Sequence, residues 1–553
     1  MHTPPFSGSI AGHGGSQAVA VARHHGIDTM FTLSGGHVFP LYDAAVSPEP
    51  TVRLLDVRHE QTAVFAAEAV GKLTRRAGLA VVTAGPGVTN VVSGVATAHF
   101  NGSPLVVLGG RAPDGRWGQG LLQELDQPPL LAPITKRAST VHATDAIAAA
   151  VDDAFLLANG AHRGPVFLDV PMDRLYDQAQ VDLGPRPAPA DRSPDPGAVA
   201  EIARLIGEAE RPLFVYGSDV WMDGAEQAAL AVAEELGIPV VTNGQGRGVL
   251  PPGHPLLATR ARGAAFGRAD LVVVVGTPLD FRIGHGLFGG RDGAPLAKVV
   301  HVTDAPEQRA AHLTLAGAAS GDLTAVLRGI GDAAKPASSV AAWRTELAGA
   351  AAAAAAGDAA ALASDADPIH PARIYGELNR VLDDDAVVIG DGGDFVSYAG
   401  KYIEPKRPGN WLDPGPFGCL GTGMGYAIAA RLSRPSSQVV ALLGDGAAGF
   451  SLMDVDTLVR HKLPVVMVCG NNGIWGLEKA PMQLIYGYDV ITELTPQTRY
   501  DEVVRALGGG GELVTDPGEI GPALRRAFDS GVPYMVNIAT DPADVYPRKT
   551  MGV

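Results

Sequence analysis

The sequence is short of cysteine, of positive charge and of long hydrophobic runs. Its 553 residues include only two cysteines, Cys419 and Cys469, which cannot form the disulfide framework of a secreted domain and which suit a reducing compartment. No apolar run reaches the roughly 18 residues that a membrane-spanning helix needs. The N-terminus also lacks the basic start and apolar run of a signal peptide. We therefore expect a cytoplasmic protein without a membrane anchor.

The deficit of positive charge limits the partners. Lysine and arginine number 43 against 59 aspartates and glutamates, which gives a formal net charge of −16. Such a surface repels nucleic acids and anionic membranes, so neither is an expected partner. An anionic small molecule would need a local cluster of arginines or lysines.

Short apolar segments alternate with longer segments of helical character along almost the whole chain. Examples are LAVVTAG (79–85), DLVVVVG (270–276) and AVVIGDG (386–392). Apolar runs that end in Gly, Asp or Asn are typical of buried parallel strands, whose C-terminal ends bind ligands in α/β proteins. A proline-rich stretch (183–197) and an alanine-rich stretch (348–368) interrupt this pattern, and we predict a linker and a helical connector.

The domain organisation follows from these interruptions. We predict an α/β protein with three doubly wound parallel-sheet domains, over residues 1–182, 195–335 and 365–553. The chain is too long for a single hydrophobic core. The first and third segments share glycine-rich strand ends, which is compatible with two related domains that present one site between them.

Two polar motifs follow neighbouring strands in the third segment. The run VVALLGDG (439–446) ends in a Gly-Asp-Gly turn that holds Asp445, and LPVVMVCGNN (463–472) ends in Asn472, 27 residues further on. One β-α-β crossover separates them, so both side chains should emerge at the same sheet edge. Their oxygens suit Mg²⁺, and the glycines let a phosphate approach the backbone. On its own, the pattern could equally be a structural turn followed by helix-capping asparagines.

This pair of motifs resembles the signature of thiamine-diphosphate-dependent enzymes. The resemblance implies that Asp445, Asn472 and the carbonyl of Ile474 hold Mg²⁺, which in turn holds the diphosphate of the cofactor. It also implies that FGCLGTGMGYAIAA (417–430) presents Leu420 as the bulky residue that bends the cofactor. Other residues expected beside the cofactor in this diphosphate-binding domain are Gly392, Gly393, Asp394, Gly446, Ala447, Trp475 and Gly476.

The first segment carries a second feature of the same family. LLDVRHEQTAVFAAEAVGKLTRRAGLAVVTAGPGVTN (54–90) resembles the pyrimidine-binding domain. The resemblance implies that Glu60 exchanges a proton with the aminopyrimidine ring to generate the reactive ylid, with Pro86 and Asn90 beside the ring. Without the metal motif, Glu60 would be interpreted as an ordinary glutamate at a helix N-terminus.

Two branches of this acetolactate synthase superfamily resemble the sequence only in part. The segments 33–44 and 121–139 are similar to acetolactate synthases, which implies an active-site role for Gln123, but Met172 replaces their usual lysine. Glu478 matches the catalytic glutamate of pyruvate-type decarboxylases, whose paired histidines in the first domain are missing here. A surface position is the preferred interpretation of Glu478.

The third branch comprises the 2-hydroxyacyl-CoA lyases and oxalyl-CoA decarboxylases, and the sequence resembles actinobacterial-type lyases most fully. GDGAAGFSLMDVDTLVRHKLPV (444–465) is similar to their Gly-Asp-Ser-Ala-Phe-Gly-Phe-Ser-x-Met-Glu pattern, and residues 261–281 resemble their middle domain. The resemblance implies a nucleotide-binding-like central domain that binds coenzyme A, with Arg262, Asp304 and Arg407 as candidate contacts. Asp304 would equally suit the ribose of ADP or, less expectedly, of FAD.

The resemblance predicts a lyase that cleaves the C1–C2 bond of a 2-hydroxyacyl-CoA to formyl-CoA and a ketone or aldehyde, through an adduct of the thiamine ylid. The reverse, acyloin-type condensation is expected too. Acetolactate synthesis and oxalyl-CoA decarboxylation remain alternatives. A non-catalytic cofactor-binding protein is disfavoured because Glu60, Asp445 and Asn472 are all present.

Cleavage of this kind needs a base for the substrate hydroxyl. Glu493, which has apolar neighbours in the sequence, is preferred to Glu478, and His37 is a further candidate for contact with the substrate. In this family the active site lies across a subunit boundary, so a homodimer or homotetramer is expected. The tail 541–553 is a candidate lid over coenzyme A.

Overall fold

Three parallel sheets organise the chain in a computed structural model that describes residues 3–185, 191–289 and 296–547. The predicted α/β class is confirmed. No helix within these ranges is long and apolar enough to cross a bilayer. Cys419 and Cys469 are both free thiols.

The N-terminal unit is built on a six-stranded parallel sheet and a two-stranded antiparallel ribbon. The strands are β1 (Gly8–His13), β2 (Thr29–Thr32), β3 (Arg53–Asp56), β4 (Gly78–Val82), β5 (Leu105–Arg111), β6 (Arg137–Thr140), β7 (Pro165–Pro171) and β8 (Gln178–Leu183). The sheet order is β3-β2-β4-β5-β7-β6, and β1 pairs with β8. Its α-helices are Gly14–His24, Phe39–Val46, Glu60–Thr74, Pro86–Thr89, Val92–Phe100, Pro128–Leu131, Ile147–Asn159 and Met172–Tyr176.

Strand β4 shows why these segments form central strands. All five of its residues are buried. Ala80 and Val82 pack into one hydrophobic core, whereas Leu79 and Val81 pack into another on the opposite face. A strand covered on both faces must be a continuous apolar run, and this is the pattern that the sequence displays.

The central unit has five parallel strands in the order β10-β9-β11-β12-β13. They are β9 (Pro212–Tyr216), β10 (Val240–Thr242), β11 (Leu271–Val275), β12 (Lys298–Thr303) and β13 (Gly317–Ser320). Its α-helices are Pro196–Glu208, Ser218–Met222, Glu226–Leu236, Arg262–Arg268 and Leu323–Ala333. The helix Val340–Leu362 follows, which confirms the predicted helical connector over most of the alanine-rich stretch. Of the predicted proline-rich linker, residues 186–190 lie outside the described ranges.

The C-terminal unit has six parallel strands in the order β15-β14-β16-β17-β19-β18. They are β14 (Val387–Asp391), β15 (Trp411–Leu412), β16 (Val439–Gly444), β17 (Val466–Asn471), β18 (Gly510–Val514) and β19 (Tyr534–Ala539). Its α-helices are Ala372–Val381, Asp394–Tyr402, Thr422–Ser433, Asp445–Ser451, Val455–Arg460, Gly476–Tyr486, Tyr500–Ala506 and Ile520–Asp529. When each six-stranded parallel sheet is counted from its own first strand, both have the order 2-1-3-4-6-5.

The N- and C-terminal units pack against each other through the helices Glu60–Thr74 and Thr422–Ser433. A single hydrophobic core runs from one unit into the other. Gly425 permits this approach, because a Cβ atom there would lie 2.6 Å from Cβ of Phe65. Buried Glu68 crosses the same contact and accepts a hydrogen bond of 2.9 Å from the hydroxyl of Tyr426.

Candidate active site

A cavity of about 440 Å³ opens at the C-terminal ends of β14, β16 and β17, and we call it the strand-end cavity. The strand order reverses between β14 and β16, which is where α/β sheets bind ligands. Every residue of the C-terminal unit that the sequence predicted to contact metal or cofactor lines this cavity: Gly392, Gly393, Asp394, Leu420, Asp445, Gly446, Ala447, Asn472, Ile474, Trp475 and Gly476.

Asp445 is a buried carboxylate at the start of the helix Asp445–Ser451. It is 4% exposed. One side-chain oxygen accepts a hydrogen bond of 3.0 Å from the amide of Gly446, and the other accepts one of 2.7 Å from the amide of Gly473. Burial raises the pKa of Asp445 to about 6, although these two amides oppose the shift. A buried carboxylate whose oxygens face backbone amides is a good ligand for a cation.

The two adjacent asparagines have different surroundings. Asn471 is buried, and its amide nitrogen donates to the carbonyl of Thr498 at 2.9 Å and to the side chain of Asn537 at 3.1 Å. Asn472 lines the strand-end cavity, and its side-chain oxygen accepts a hydrogen bond of 3.2 Å from the amide of Ile474. The first asparagine therefore fixes the loop, and the second faces the cavity.

Glycines keep the wall of the strand-end cavity open to a ligand. A Cβ atom on Gly446 would lie 2.4 Å from the ring of Trp475, and one on Gly393 would lie 2.5 Å from Cδ1 of Leu477. Neither position has room for a side chain. Both glycines line the strand-end cavity beside the N-termini of two helices, where phosphate groups bind well.

The residues predicted in the N-terminal unit lie near the C-terminal edge of their own sheet. Glu60 is 7% exposed, and its carboxylate accepts a hydrogen bond of 2.9 Å from the amide group of Asn90. His37 is buried with its Nδ1 atom 3.1 Å from the hydroxyl of Thr83, and burial lowers the pKa of His37. Gln123 has a left-handed backbone conformation (φ +59°).

The segment that begins at Pro86 connects these groups. Pro86 starts the short helix Pro86–Thr89 and Asn90 follows it. A Cβ atom on Gly85 would lie 2.8 Å from Cβ of Gln123, so the chain passes close to that glutamine. Among the described residues that line the strand-end cavity, none belongs to the N-terminal unit. A single chain thus does not bring Glu60, His37, Gln123, Pro86 and Asn90 to the strand-end cavity.

The expectation of apolar surroundings for Glu493 is wrong. Its side chain is 62% exposed and forms an ion pair with Lys479, which comes from the helix Gly476–Tyr486. Neither residue lines the strand-end cavity among its described residues, whereas Glu478 does. The helix Gly476–Tyr486 brings a lysine to Glu493, and local sequence neighbours could not reveal this.

The three residues predicted to bind coenzyme A do not converge. Asp304 lines a separate cavity of about 790 Å³ between the N-terminal and central units, the interdomain cavity, and pairs with His162 at 2.9 Å. The guanidinium group of Arg262 donates to the carbonyl of Arg282 and lies 4.8 Å from the ring of Phe266. Arg407 is exposed. Asp304 and Arg262 thus contact different local structures, and a joint role of the three residues in binding coenzyme A stays a prediction.

The charges of the interdomain cavity are balanced. Its described lining holds five lysines and arginines and five aspartates and glutamates. Arg192 forms a two-point ion pair with Asp223 at 2.8 and 2.9 Å, and Arg163 lies 3.4 Å from the same carboxylate. This cavity therefore offers no excess positive charge for the phosphates of coenzyme A.

Phe281 and Arg282 of the central unit also line the strand-end cavity, and sequence reasoning missed both. Arg282 is held by Asp280, with the closest of its contacts at 2.8 Å. A signal was present, since TPLDFR (277–282) directly follows β11 and its glycine. At the strand ends of the central unit, the sequence predicted a ligand contact only at Asp304 after β12, whereas the segment after β11 reaches the C-terminal unit.

A third cavity, of about 720 Å³, adjoins the strand-end cavity, and we call it the tail cavity. It lies between the helix Gly476–Tyr486 and residues 542–547. The amide of Tyr546 donates to the carboxylate of Asp394 at 2.6 Å and its ring meets Tyr398 edge-on at 5.1 Å. The predicted lid covers 541–553, and residues 548–553 lie outside the described ranges.

Comparison with known families identifies the units. Residues 13–130 match the N-terminal TPP binding domain of thiamine pyrophosphate enzymes, residues 199–330 match their central domain, and residues 391–538 match their C-terminal TPP binding domain. The chain belongs to the thiamine pyrophosphate enzymes. The three parallel-sheet units are those of this family, as the sequence motifs predicted.

Similar proteins carry two different names. The chain is 49% identical over 543 residues to the acetolactate synthase large subunit of Mycobacterium tuberculosis, which covers 97% of both chains. It is 32% identical to 2-hydroxyacyl-CoA lyase 2 of Homo sapiens, over 95% of this chain and 90% of the lyase. The corresponding protein of Caenorhabditis elegans is 33% identical, over 91% of this chain and 85% of the lyase.

The strand-end cavity fits Mg²⁺ and a diphosphate. The carboxylate of Asp445 is buried and accepts hydrogen bonds from two backbone amides, and a divalent cation would neutralise its charge. Asn472 and Ile474 add an amide oxygen and a carbonyl oxygen at the same cavity, which completes a set of hard ligands. Gly393 and Gly446 line the same cavity, and as glycines they place no side chain of their own between the backbone and a phosphate.

Proposed function

We propose that the chain is a thiamine-diphosphate-dependent carbon–carbon lyase, which reversibly cleaves a 2-hydroxyacyl-CoA to formyl-CoA and a ketone or aldehyde. When bound, thiamine diphosphate supplies a carbon centre that accepts the electron pair of the broken bond. Asp445, Asn472 and the carbonyl of Ile474 would hold Mg²⁺. The glycines Gly393 and Gly446 would border the diphosphate.

The tail cavity is the observation that carries the acyl-CoA proposal. It shares Gly476 and Leu477 with the strand-end cavity, so the two spaces adjoin. Its described side chains are mainly apolar, with Lys479, Gln483 and Tyr546 as the polar ones. Two small keto acids need no such extension, whereas an acyl chain or the pantetheine arm of a thioester would occupy it.

Two carboxyl groups of this chain would handle the protons. Glu60, which Asn90 orients, would exchange a proton with the aminopyrimidine ring. Glu478 lines the strand-end cavity, and we assign it, rather than Glu493, the hydroxyl proton of the substrate. That proton leaves as the C1–C2 bond breaks and is then available for the carbon of formyl-CoA, so the reaction needs no external acid.

A second copy of the chain would complete the active site. The support is the separation already described: Glu60, His37 and Gln123 do not line the strand-end cavity of their own chain. Mixing two inactive variants, Glu60→Gln and Asp445→Asn, tests this. If the site lies between subunits, a mixed dimer has one intact site and re-associated mixtures recover about a quarter of the activity. No recovery from confirmed mixed dimers would place both residues in a site within one chain.

A carboligase of the acetolactate synthase type is the second candidate. The observation that favours it is the 49% identity to a protein of that name. Oxalyl-CoA decarboxylation would differ from the lyase reaction in releasing CO₂ instead of a carbonyl compound. These activities would share Glu60 and Asp445 and would differ in what occupies the tail cavity.

Product analysis separates the candidates. The purified protein with Mg²⁺ and thiamine diphosphate is incubated separately with a 2-hydroxyacyl-CoA, with oxalyl-CoA and with pyruvate. We expect formyl-CoA and a carbonyl compound from the first substrate. Acetolactate as the sole product would refute the lyase proposal, and CO₂ from oxalyl-CoA alone would establish the decarboxylase. Glu478→Gln should slow lyase turnover about 100-fold, and an unchanged rate would mean that another group is the base.

A further inference from the structure

Asp391 is a buried carboxylate beside the strand-end cavity for which the proposed chemistry has no role. It is the last residue of β14, and its side chain is fully buried. One side-chain oxygen accepts a hydrogen bond of 3.1 Å from the amide of Gly421, and the other accepts one of 2.8 Å from the amide of Gly423. Burial raises the pKa of Asp391 to about 7, and those amides oppose the shift. A buried carboxylate is costly, so its two contacts need an explanation.

The two amides lie at the end of the turn that carries Leu420 and in the first turn of the helix that follows it. Gly418 and Gly421 both have left-handed backbone conformations, with φ of +69° and +89°, and they flank Cys419 and Leu420. Such glycines give a turn many accessible conformations unless contacts restrict it. Leu420 lines the strand-end cavity, so the conformation of this turn determines where its side chain enters.

The helix Thr422–Ser433 has no cap from its own sequence. Its N-cap residue is Gly421, and no side chain within the segment caps it. The carboxyl group of Asp391 takes that place from a neighbouring strand, with one oxygen on the amide of Gly421 and the other on the amide of Gly423. The packing leaves little freedom, because a Cβ atom on Gly423 would lie 2.8 Å from Leu443 and 3.0 Å from Asp391.

We propose that Asp391 is a positioning residue, which fixes how far Leu420 projects into the strand-end cavity by holding the amides of Gly421 and Gly423. The inference rests on the proposed function, because it assumes that the cavity holds the thiamine cofactor. Asp391 acts through Leu420 on the arrangement of the cofactor's rings. It leaves Asp445 and Asn472, which would bind the metal, unchanged.

The test compares Asp391→Asn, Leu420→Ala and the double variant with the wild type. Asparagine keeps the shape of the side chain but presents an N–H group to one of the two amides. We expect a fall in kcat of about 10- to 100-fold, with the Kd of thiamine diphosphate and Mg²⁺ changed less than about 3-fold. The near-UV circular dichroism of the bound aminopyrimidine should change in Asp391→Asn as it does in Leu420→Ala.

The double variant decides between positioning and simple helix capping. If Asp391 acts through Leu420, the double variant is no slower than Leu420→Ala alone. Multiplied losses, or a loss in Asp391→Asn confined to cofactor affinity or melting temperature, would overturn the inference. Thr422→Val is the matched control: its buried hydroxyl has no hydrogen-bond partner among the described residues, and we expect wild-type kinetics and dichroism.

Two further measurements keep the test decisive. If Asp391→Asn does not fold, Asp391→Ser retains one acceptor and should show a smaller change of the same kind, and wild-type dichroism with wild-type kcat would overturn the inference. The wild type is measured first. Failure of the wild type to bind thiamine diphosphate would refute the proposed function and this inference together, whereas normal binding with multiplied losses refutes the inference alone.

Discussion

The parallel sheets of the N- and C-terminal units have the same strand order but carry different residues at their strand ends. Counted from its own first strand, each six-stranded parallel sheet runs 2-1-3-4-6-5. In the C-terminal unit, the strand ends present closely packed glycines together with the short polar side chains of Asp445 and Asn472. In the N-terminal unit, the strand ends present the longer side chains of Glu60, His37 and Gln123. One topology thus presents glycines and short polar side chains at one sheet and longer polar side chains at the other.

This difference matches what the two ends of the expected cofactor require. A diphosphate is recognised by backbone amides and a cation, which demand that side chains be absent. A ring that exchanges protons needs a carboxyl group in a defined position. If this division is correct, substitutions at the two edges should fail in different ways, either in turnover or in cofactor affinity.

The largest expected effect is a loss of turnover on substitution of Glu60 in the N-terminal unit. Glu60→Gln should lower kcat about 1,000-fold or more while cofactor affinity stays within about 3-fold, because the amide cannot exchange the proton. Glu68→Gln, on the same helix, is the control. Glu68 is fully buried and bonds Asn101, Ser103 and Tyr426, so its loss should affect the free energy of unfolding more than kcat. Equal kinetic effects of the two variants would contradict the assignment of Glu60.

The next largest effect is on the affinity for metal and cofactor, on substitution of Asp445 in the C-terminal unit. Asp445→Asn should weaken binding of Mg²⁺ and thiamine diphosphate about 100-fold, as isothermal titration calorimetry can measure. In the metal-free protein, by contrast, Asp445→Asn should raise the free energy of unfolding. Burial raises the pKa of Asp445 to about 6 from an ordinary value of 3.8. A raised carboxyl pKa means that the folded state loses stability as pH rises through this interval.

Asp445→Asn removes that loss. In the presence of a chelator, its advantage in the free energy of unfolding over the wild type should grow between pH 4 and pH 7 to about 1–3 kcal/mol. Denaturant titrations at several pH values measure it. A constant difference across this range would show that Asp445 does not titrate there.

Glycine substitutions give a smaller effect. Gly446→Ala places a methyl group 2.4 Å from the ring of Trp475, so we expect a loss of about 1–3 kcal/mol in the free energy of unfolding and weaker cofactor binding. Gly263→Ala is the matched control in the helix Arg262–Arg268, where a Cβ atom would meet nothing within 4 Å. It should stabilise the protein by about 0.5–1 kcal/mol. Equal effects would mean that the cavity wall tolerates side chains.

The residues of the strand-end cavity in the C-terminal unit could be predicted from the sequence because they directly follow strands. A parallel sheet aligns the C-terminal ends of β14, β16 and β17, so motif and topology together bring Gly392, Asp445 and Asn472 to one cavity. Contacts between distant segments were beyond such reasoning. The interdomain position of Asp304 and the presence of Phe281 in the strand-end cavity depend on how the central unit packs.

Glu493 and Glu478 also show that the sequence does not reveal contacts between separate segments, and they give the last prediction. Glu493→Gln removes only an exposed ion pair with Lys479, so the melting temperature should change by less than about 2 °C and kcat by less than about 2-fold. The backbone of Glu493 pairs with that of Ile474 in an isolated β-bridge, and this contact does not depend on the side chain. Kinetics and calorimetry of Glu493→Gln beside Glu478→Gln measure the contrast. A large loss in Glu493→Gln alone would mean that the ion pair opens during catalysis and that the substrate's base is Glu493 after all.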